Sequence, residues 1–215
     1  MKKNMTDLLI IQFAKWPVLG NVKTRLASSI GDTKALRVHL DLMSEVLTTL
    51  ISAQYEGLTC DIELWLNEIP ENTKQMTQII TTTRENEIPC KEQKGHNLGD
   101  KMADAMTSSL QSYSKVLIVG SDCPNITVTA LKAASEALNT TDIVLGPAED
   151  GGYVLVGASN FNAQVFKDVE WGKGKVFDTT VNNIRALNLS FSLIDESWDV
   201  DDLADYERWC ASKLS

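Results

Sequence analysis

Three basic side chains, Lys15, Lys23 and Arg25, fall in the segment Phe13-Ala-Lys-Trp-Pro-Val-Leu-Gly-Asn-Val-Lys-Thr-Arg-Leu26, directly after the apolar run Leu8-Leu-Ile-Ile11. The pattern is a buried strand that stops, turns through a Pro/Gly loop and enters a helix. An α/β protein builds an anion site in this way. Loop N–H groups point outward, the helix N-terminus adds positive potential, and nearby bases neutralise a polyphosphate. Ala14, Lys15, Pro17, Gly20, Lys23 and Arg25 are therefore the candidate phosphate contacts, and a nucleotide or other phosphorylated compound is the candidate ligand. The plainer alternative, a surface loop with solvated bases, stays open on the local pattern alone. The segment is neither a Walker A loop, which needs Gly-Lys-Ser/Thr uninterrupted, nor a dinucleotide fingerprint, which needs three spaced glycines.

Carboxylates at later strand ends supply the opposite charge. Lys115-Val-Leu-Ile-Val-Gly-Ser-Asp-Cys-Pro124 reads as a buried strand ending in Gly120-Ser121-Asp122. Asp122 there either binds Mg²⁺ or organises the turn, with Thr127 capping the next helix. In Leu145-Gly-Pro-Ala-Glu-Asp-Gly-Gly-Tyr-Val-Leu-Val-Gly157, Gly151 and Gly152 allow close backbone approach to a ligand, and Asp150 is a candidate acceptor-side base. A plain Asp-Gly hairpin turn accounts for Asp150-Gly151, though it does not call for Gly146-Pro147 and Gly152-Tyr153 as well. In Trp198-Asp-Val-Asp-Asp-Leu203, Asp202 and Asp205 suit the start of a helix, whereas Asp199 or Asp201 is either a cap or a second carboxylate on the same Mg²⁺.

The elements that must position these groups alternate along the chain. Strands are expected at Leu8–Phe13, Leu58–Leu66, Ile88–Glu92, Lys115–Val119, Asp142–Leu145, Tyr153–Gly157 and Leu189–Ile194. Helices are expected at Val22–Ser29, Thr33–Ala53, Asn72–Thr82, Leu98–Ser112, Thr127–Leu138, Val176–Leu187 and Asp201–Lys213. The Thr33–Ala53 helix sets Leu36, Leu40, Met43, Val46, Leu47 and Leu50 on one stripe. Such alternation implies a mostly parallel sheet covered on both faces, with ligands outside the carboxyl ends of the strands. No linker, repeat or low-complexity segment divides the 215 residues, so one domain spanning 1–215 is expected.

A net charge of −9 argues against nucleic acid as the main partner. The apolar runs are too short for a membrane span or a signal peptide, which makes the cytoplasm the expected compartment. Charge is polarised along the chain. Lys2, Lys3, Lys15, Lys23, Arg25, Lys34 and Arg37 crowd one end, and Asp195, Glu196, Asp199, Asp201, Asp202, Asp205 and Glu207 the other. One end suits phosphate and the other a cation. Cys60, Cys90, Cys123 and Cys210 have no zinc spacing and read as reduced thiols.

Taken together, the Phe13–Leu26 segment, Leu98-Gly-Asp-Lys-Met102, Gly120-Ser-Asp-Cys-Pro124, Gly146-Pro-Ala-Glu-Asp-Gly-Gly-Tyr153 and Trp198-Asp-Val-Asp201 resemble, in order, the bacterial GT-A-like family labelled glycosyltransferase A or nucleotide-diphospho-sugar transferase-like. Relatives include the molybdenum-cofactor guanylyltransferase and the phospholactate guanylyltransferase. The resemblance covers about Leu8 to Tyr206 and implies a three-layer α/β/α sandwich with a mostly parallel mixed sheet. It implies a transferase using a nucleotide or nucleotide-sugar donor and a small-molecule acceptor, with Mg²⁺ or Mn²⁺ held by Asp122 and Asp201. Lys23 and Arg25 stand where relatives keep phosphate-neutralising bases. The loop departs from the Gly-rich form of the guanylyltransferases, and Lys173 stands where members often have Thr.

Other polar residues read as structural: His39 within an amphipathic helix, His96 before a helix, and Cys123 without a His partner. Trp171 and Trp198 read as packing residues, as Trp most often is. The competing function is a non-catalytic module that binds a phosphorylated ligand.

Overall fold

The computed structural model describes residues 6–69 and 77–214. Among the described residues, seven strands form one mixed sheet: β1 (Leu8–Ala14), β2 (Asp61–Leu66), β3 (Cys90–Glu92), β4 (Lys115–Gly120), β5 (Ile143–Pro147), β6 (Tyr153–Ala158) and β7 (Phe191–Leu193). Their order across the sheet is β3-β2-β1-β4-β6-β5-β7. All neighbours pair in parallel except β6, which runs antiparallel to both β4 and β5. Reversing β6 brings the start of β6 and the end of β5 to the edge of the sheet where β1 and β4 end. The β5–β6 connection is a hairpin with a bulge at Gly146/Pro147, so the Asp-Gly hairpin turn is part of the structure.

Helices cover both faces: α1 (Thr24–Ile30), α2 (Asp32–Tyr55), α3 (Thr77–Glu85), α4 (Leu98–Ser109), α5 (Val128–Ala137), α6 (Val176–Ala186) and α7 (Leu203–Ser212). The first part of the expected Asn72–Thr82 helix lies outside the described residues. β1 is buried throughout, and its period-two alternation divides it between two cores. Leu8, Ile10 and Ala14 pack against α2, α3 and α5, while Leu9, Ile11 and Phe13 pack against α4 and α6. A third cluster joins Leu26 of α1, Val38 and Leu42 of α2, Trp198, Val200 and Trp209 of α7. The buried stripe of α2 runs through Ala35, Val38, His39, Leu42, Met43, Val46, Leu47 and Leu50. Leu36 and Leu40 are only half-buried, so the stripe is rotated from the expected one and takes in His39.

Among the described residues, no helix is long and apolar enough to cross a membrane.

Candidate active site

A cavity of about 680 Å³ opens at the ends of β1 and β4 and the start of β6. Of the sequence-predicted residues, Ala14, Lys15, Lys23, Asp122, Asp150, Gly152 and Asp201 line it, together with Asp199 and His39. Pro17, Gly20, Arg25 and Gly151 are not in its wall. Pro17 is buried. Gly20, at φ 81°, helps close a turn in which the Asn21 N–H donates to the Val18 carbonyl at 3.0 Å.

Lys23 precedes α1 in the left-handed conformation, φ 50° and ψ 42°, which is unusual for a residue with a Cβ. Its side chain is 4% exposed and turns inward. The ammonium lies 2.8 Å from Oδ2 of Asp122 and also donates to the Val200 carbonyl. The expected phosphate ligand is thus spent on the expected metal ligand. Arg25 is 68% exposed and donates to Asp201 Oδ2 at 2.6 Å and to Asp202 Oδ2 at 3.4 Å.

The acids arrive by an alternation. In the extended segment before α7, Trp198 and Val200 point into the third core, so Asp199 and Asp201 turn to the cavity. The segment is stitched to both neighbouring loops. The Val200 N–H donates to the Asp122 carbonyl at 3.0 Å, Ser197 N–H to Pro147 at 2.9 Å, and Glu149 N–H to Ser197 at 3.1 Å. Arg208 of α7 holds Glu149 in a two-pronged pair at 2.7 and 3.0 Å and lies over the Trp198 ring. Asp202 caps α7 and Asp205 closes the capping box, which leaves Asp199 and Asp201 as the acids whose side chains have no helix-end role.

The hairpin loop is held from the other side. Gly151, at φ 84°, sits so close to the 171–176 loop that a Cβ there would meet the Gly174 carbonyl at 2.5 Å, and Phe177 N–H donates to the Gly151 carbonyl at 2.9 Å. Gly151 therefore serves packing. Asp150 lines the cavity and accepts from the Gly152 N–H at 2.8 Å through Oδ1, while Oδ2 has no hydrogen-bond partner among the described residues.

Electrostatics mark the acids as a cation-seeking group. Burial alone would push the Asp122 carboxyl up, but the Lys23 ammonium and His39 outweigh it and hold it well below the usual carboxylate range. Asp199 is pushed up to about 6, first by burial and then by Asp150, Asp122 and Asp201, with Lys23 opposing. Oδ1 of Asp122 is shut off from solvent and faces Nδ1 of His39 at 3.7 Å, and among the described residues neither atom has a partner within hydrogen-bond distance. Several carboxylates facing one cavity, one of them an acid that resists ionising, fit a bound divalent cation. Among the described residues, no three His, Cys, Asp or Glu side chains form a ready-made cage. The donor set therefore suits an ion such as Mg²⁺, which takes one or two carboxylates and completes its shell with phosphate oxygens and water.

His39 is the site residue that sequence reasoning missed. It is 3% exposed, and its Nε2 lies 3.0 Å from the Lys15 carbonyl, so it ties the first loop to Asp122. The available signal was a polar residue four places from Ala35 and four from Met43, on the face that proves to be buried. Cys123 and Trp171 also line the cavity, and His96 does not. Burial raises the Cys123 thiol, and Trp171 packs edge-on to Tyr153 and Phe166. His96 lies in the loop before α4, where its N–H donates to Oδ2 of Asp100 at 3.3 Å.

The model of the family described as "Uncharacterized protein conserved in bacteria (DUF2064)" matches residues 50–173. No curated protein matches the chain. Among solved structures, a protein from Desulfovibrio desulfuricans, provisionally named a nucleotide-diphospho-sugar transferase, is 27% identical. It covers 97% of this chain and 88% of its own, with a TM-score of 0.83. A nucleotidyl transferase from Methanothermobacter thermautotrophicus is 11% identical, covers 99% of each chain and has a TM-score of 0.58. A mannosyltransferase from Pyrobaculum calidifontis, in complex with GDP-Man and Mn²⁺, is 12% identical. It covers 95% of this chain and 59% of its own at a TM-score of 0.55. At these low identities the last two establish likeness of fold.

Proposed function

The chain belongs to the bacterial DUF2064 family and has the GT-A-like fold shared by nucleotide-diphospho-sugar transferases and nucleotidyltransferases, and from that premise we propose that it is a divalent-cation-dependent transferase acting on a nucleotide or nucleotide-sugar donor. One observation carries the reading: Asp122 and Asp199 meet Lys23 in a single cavity at the strand ends. The sheet threads through the described chain from β1 to β7, which supports taking 1–215 as one domain.

In this reading Asp122 and Asp199 or Asp201 hold Mg²⁺ or Mn²⁺, which when bound neutralises the donor phosphates and the charge on the leaving group. Lys15, exposed at the cavity wall, and Arg25, outside the wall but paired with the lining residue Asp201, meet the outer phosphate oxygens. Lys23, already desolvated, provides a fixed positive charge beside them. Asp150 receives the acceptor's proton at Oδ2 while Oδ1 stays bonded to Gly152. Loss of pyrophosphate from a nucleoside triphosphate would mark nucleotidyl transfer. Loss of a nucleoside diphosphate would mark glycosyl transfer.

A second reading, a non-catalytic module binding a phosphorylated ligand, draws on the pairing of Lys23 with Asp122 and of Arg25 with Asp201. A thermal-shift screen of nucleoside phosphates and sugar nucleotides, with and without Mg²⁺ or Mn²⁺, separates the two. The transferase reading expects stabilisation that needs the metal and vanishes in Asp122→Ala. Metal-independent stabilisation that survives Asp122→Ala would favour the binding module.

A further inference from the structure

Three side chains with no part in the proposed chemistry meet between the loops that carry the acids. The Ser197 hydroxyl donates to Oδ1 of Asn125 at 2.8 Å. Sγ of Cys123 lies 3.0 Å from the Ser197 oxygen and 3.2 Å from the same Asn125 oxygen. Two hydrogens therefore serve three contacts. A chain in which the thiol donates to Ser197 and Ser197 donates to Asn125 uses both, and only the oxygen of the amide can receive it. Cys123 and Ser197 are buried, where a hydrogen bond is stronger and an unmade one costs more.

The chain sits next to every acid that the cavity gathers from these loops. Cys123 follows Asp122, and Ser197 lies two residues before Asp199. The Ser197 backbone also holds the hairpin, its N–H on the Pro147 carbonyl at 2.9 Å and its carbonyl on the Glu149 N–H at 3.1 Å, one residue from Asp150. On the far side of Asp199, the Val200 N–H reaches the Asp122 carbonyl at 3.0 Å. Asp199 thus lies between two attachments to the turn after β4, one through the side chains at Ser197 and one through the backbone at Val200. A segment tied at one point can pivot, and ionised Asp199 is repelled by Asp150, Asp122 and Asp201. The second tie removes the pivot. We propose that Asn125 and Ser197 are positioning residues that, with Cys123, fix the stretch carrying Asp199 against Asp122, so that both carboxylates can reach one cation. This assignment rests on the cation-site reading above.

Calorimetric titration of the full chain with Mn²⁺, paired with amide hydrogen exchange, tests it. Asn125 is exposed, so Asn125→Ala opens no cavity and the variant should fold. Asn125→Ala and Ser197→Ala should each weaken Mn²⁺ binding roughly three- to tenfold. The double variant should lose no more than the worse single one, because both changes break the same chain. Cys123→Ser keeps a donor and should bind Mn²⁺ within about twofold of the parent, whereas Cys123→Ala should not. Exchange of the Val200 and Glu149 N–H groups should quicken roughly three- to tenfold in both single variants, with the amides of β4 unchanged. Additive losses in the double variant would overturn the assignment, as would Mn²⁺ affinity and exchange that match the parent. Faster exchange throughout β4 would mark a merely destabilised fold and also overturn it. If the parent binds no Mn²⁺, the cation-site reading falls, and the exchange of Val200 and Glu149 alone decides whether the chain fixes the acid segment.

Discussion

The ammonium of Lys23 lies 2.8 Å from Oδ2 of Asp122 and also donates to the carbonyl of Val200, so one buried cation joins the loop after β1, the end of β4 and the acidic segment before α7. The same ammonium stands where a metal bound to Asp122 would supply positive charge. Lys23 and a divalent cation therefore compete for one carboxylate. In Lys23→Met the Asp122 carboxylate loses its cation, and unfolding in urea should show a loss of about 1–3 kcal/mol. That is less than for a fully buried pair, since the Asp122 side chain is 41% exposed. Mg²⁺ should stabilise this variant more than the parent. An equal Mg²⁺ effect on both would remove the competition from the account.

Asp122 sets an acid limit. Its folded pKa is depressed, so its contribution to stability is present at neutral pH and is lost as the pH drops below about 4, toward the folded value. Asp122→Asn should flatten the acid limb of a plot of Tm against pH while abolishing any metal-linked stabilisation by nucleotides. An unchanged acid limb would mean that other carboxylates dominate it.

Asp199 has the opposite sign. Its folded pKa is raised to about 6, so without metal the protein loses stability as the pH rises from about 4 to 6, when the group must ionise beside Asp150. Asp199→Asn should raise the Tm of the metal-free protein at pH 7.5 by roughly 2–5 °C and shrink the gain on adding Mg²⁺. Metal affinity of the parent should fall as the pH drops below about 6, which calorimetry in two buffers would read as proton release on binding. A lower metal-free Tm in the variant would contradict this placement of charge.

Arg25 is exposed and pairs with exposed acids, an arrangement that adds little to stability. Arg25→Ala should leave the Tm within about 1 °C of the parent. Its effect belongs to ligand binding: affinity for the donor should drop roughly three- to tenfold, with the drop reduced at high salt. Unchanged affinity would confine Arg25 to tethering Asp201.

Much of the fold was legible because each strand is a local pattern. Leu8–Ala14, Lys115–Gly120 and Tyr153–Ala158 are apolar runs bounded by turn residues, and burial of such runs is readable without partners. Leu58–Cys60, expected as strand, instead enters β2 as a loop, because the Leu58 N–H bonds the Ala53 carbonyl at the end of α2. The reversal of β6 was not legible: an apolar run reads the same in either direction, and only pairing with Val116–Val119 decides it. In the site, Asp122 and the acids before α7 were visible as charges at strand and helix ends. The inward turn of Lys23 was not, since its partners Asp122 and Val200 are distant in sequence.

By itself, the sequence determined the set of elements, the polarity that puts bases near one end and acids near the other, and the loops where charge collects, because periodicity and composition act over a few residues. Tertiary structure alone decided that Lys23 meets Asp122, that Arg25 meets Asp201, and that His39, Asn67 and Gln93 gather around Ala14 and Lys15. Those choices depend on which polar groups lose water together when the sheet closes, and desolvation binds residues that no local pattern connects.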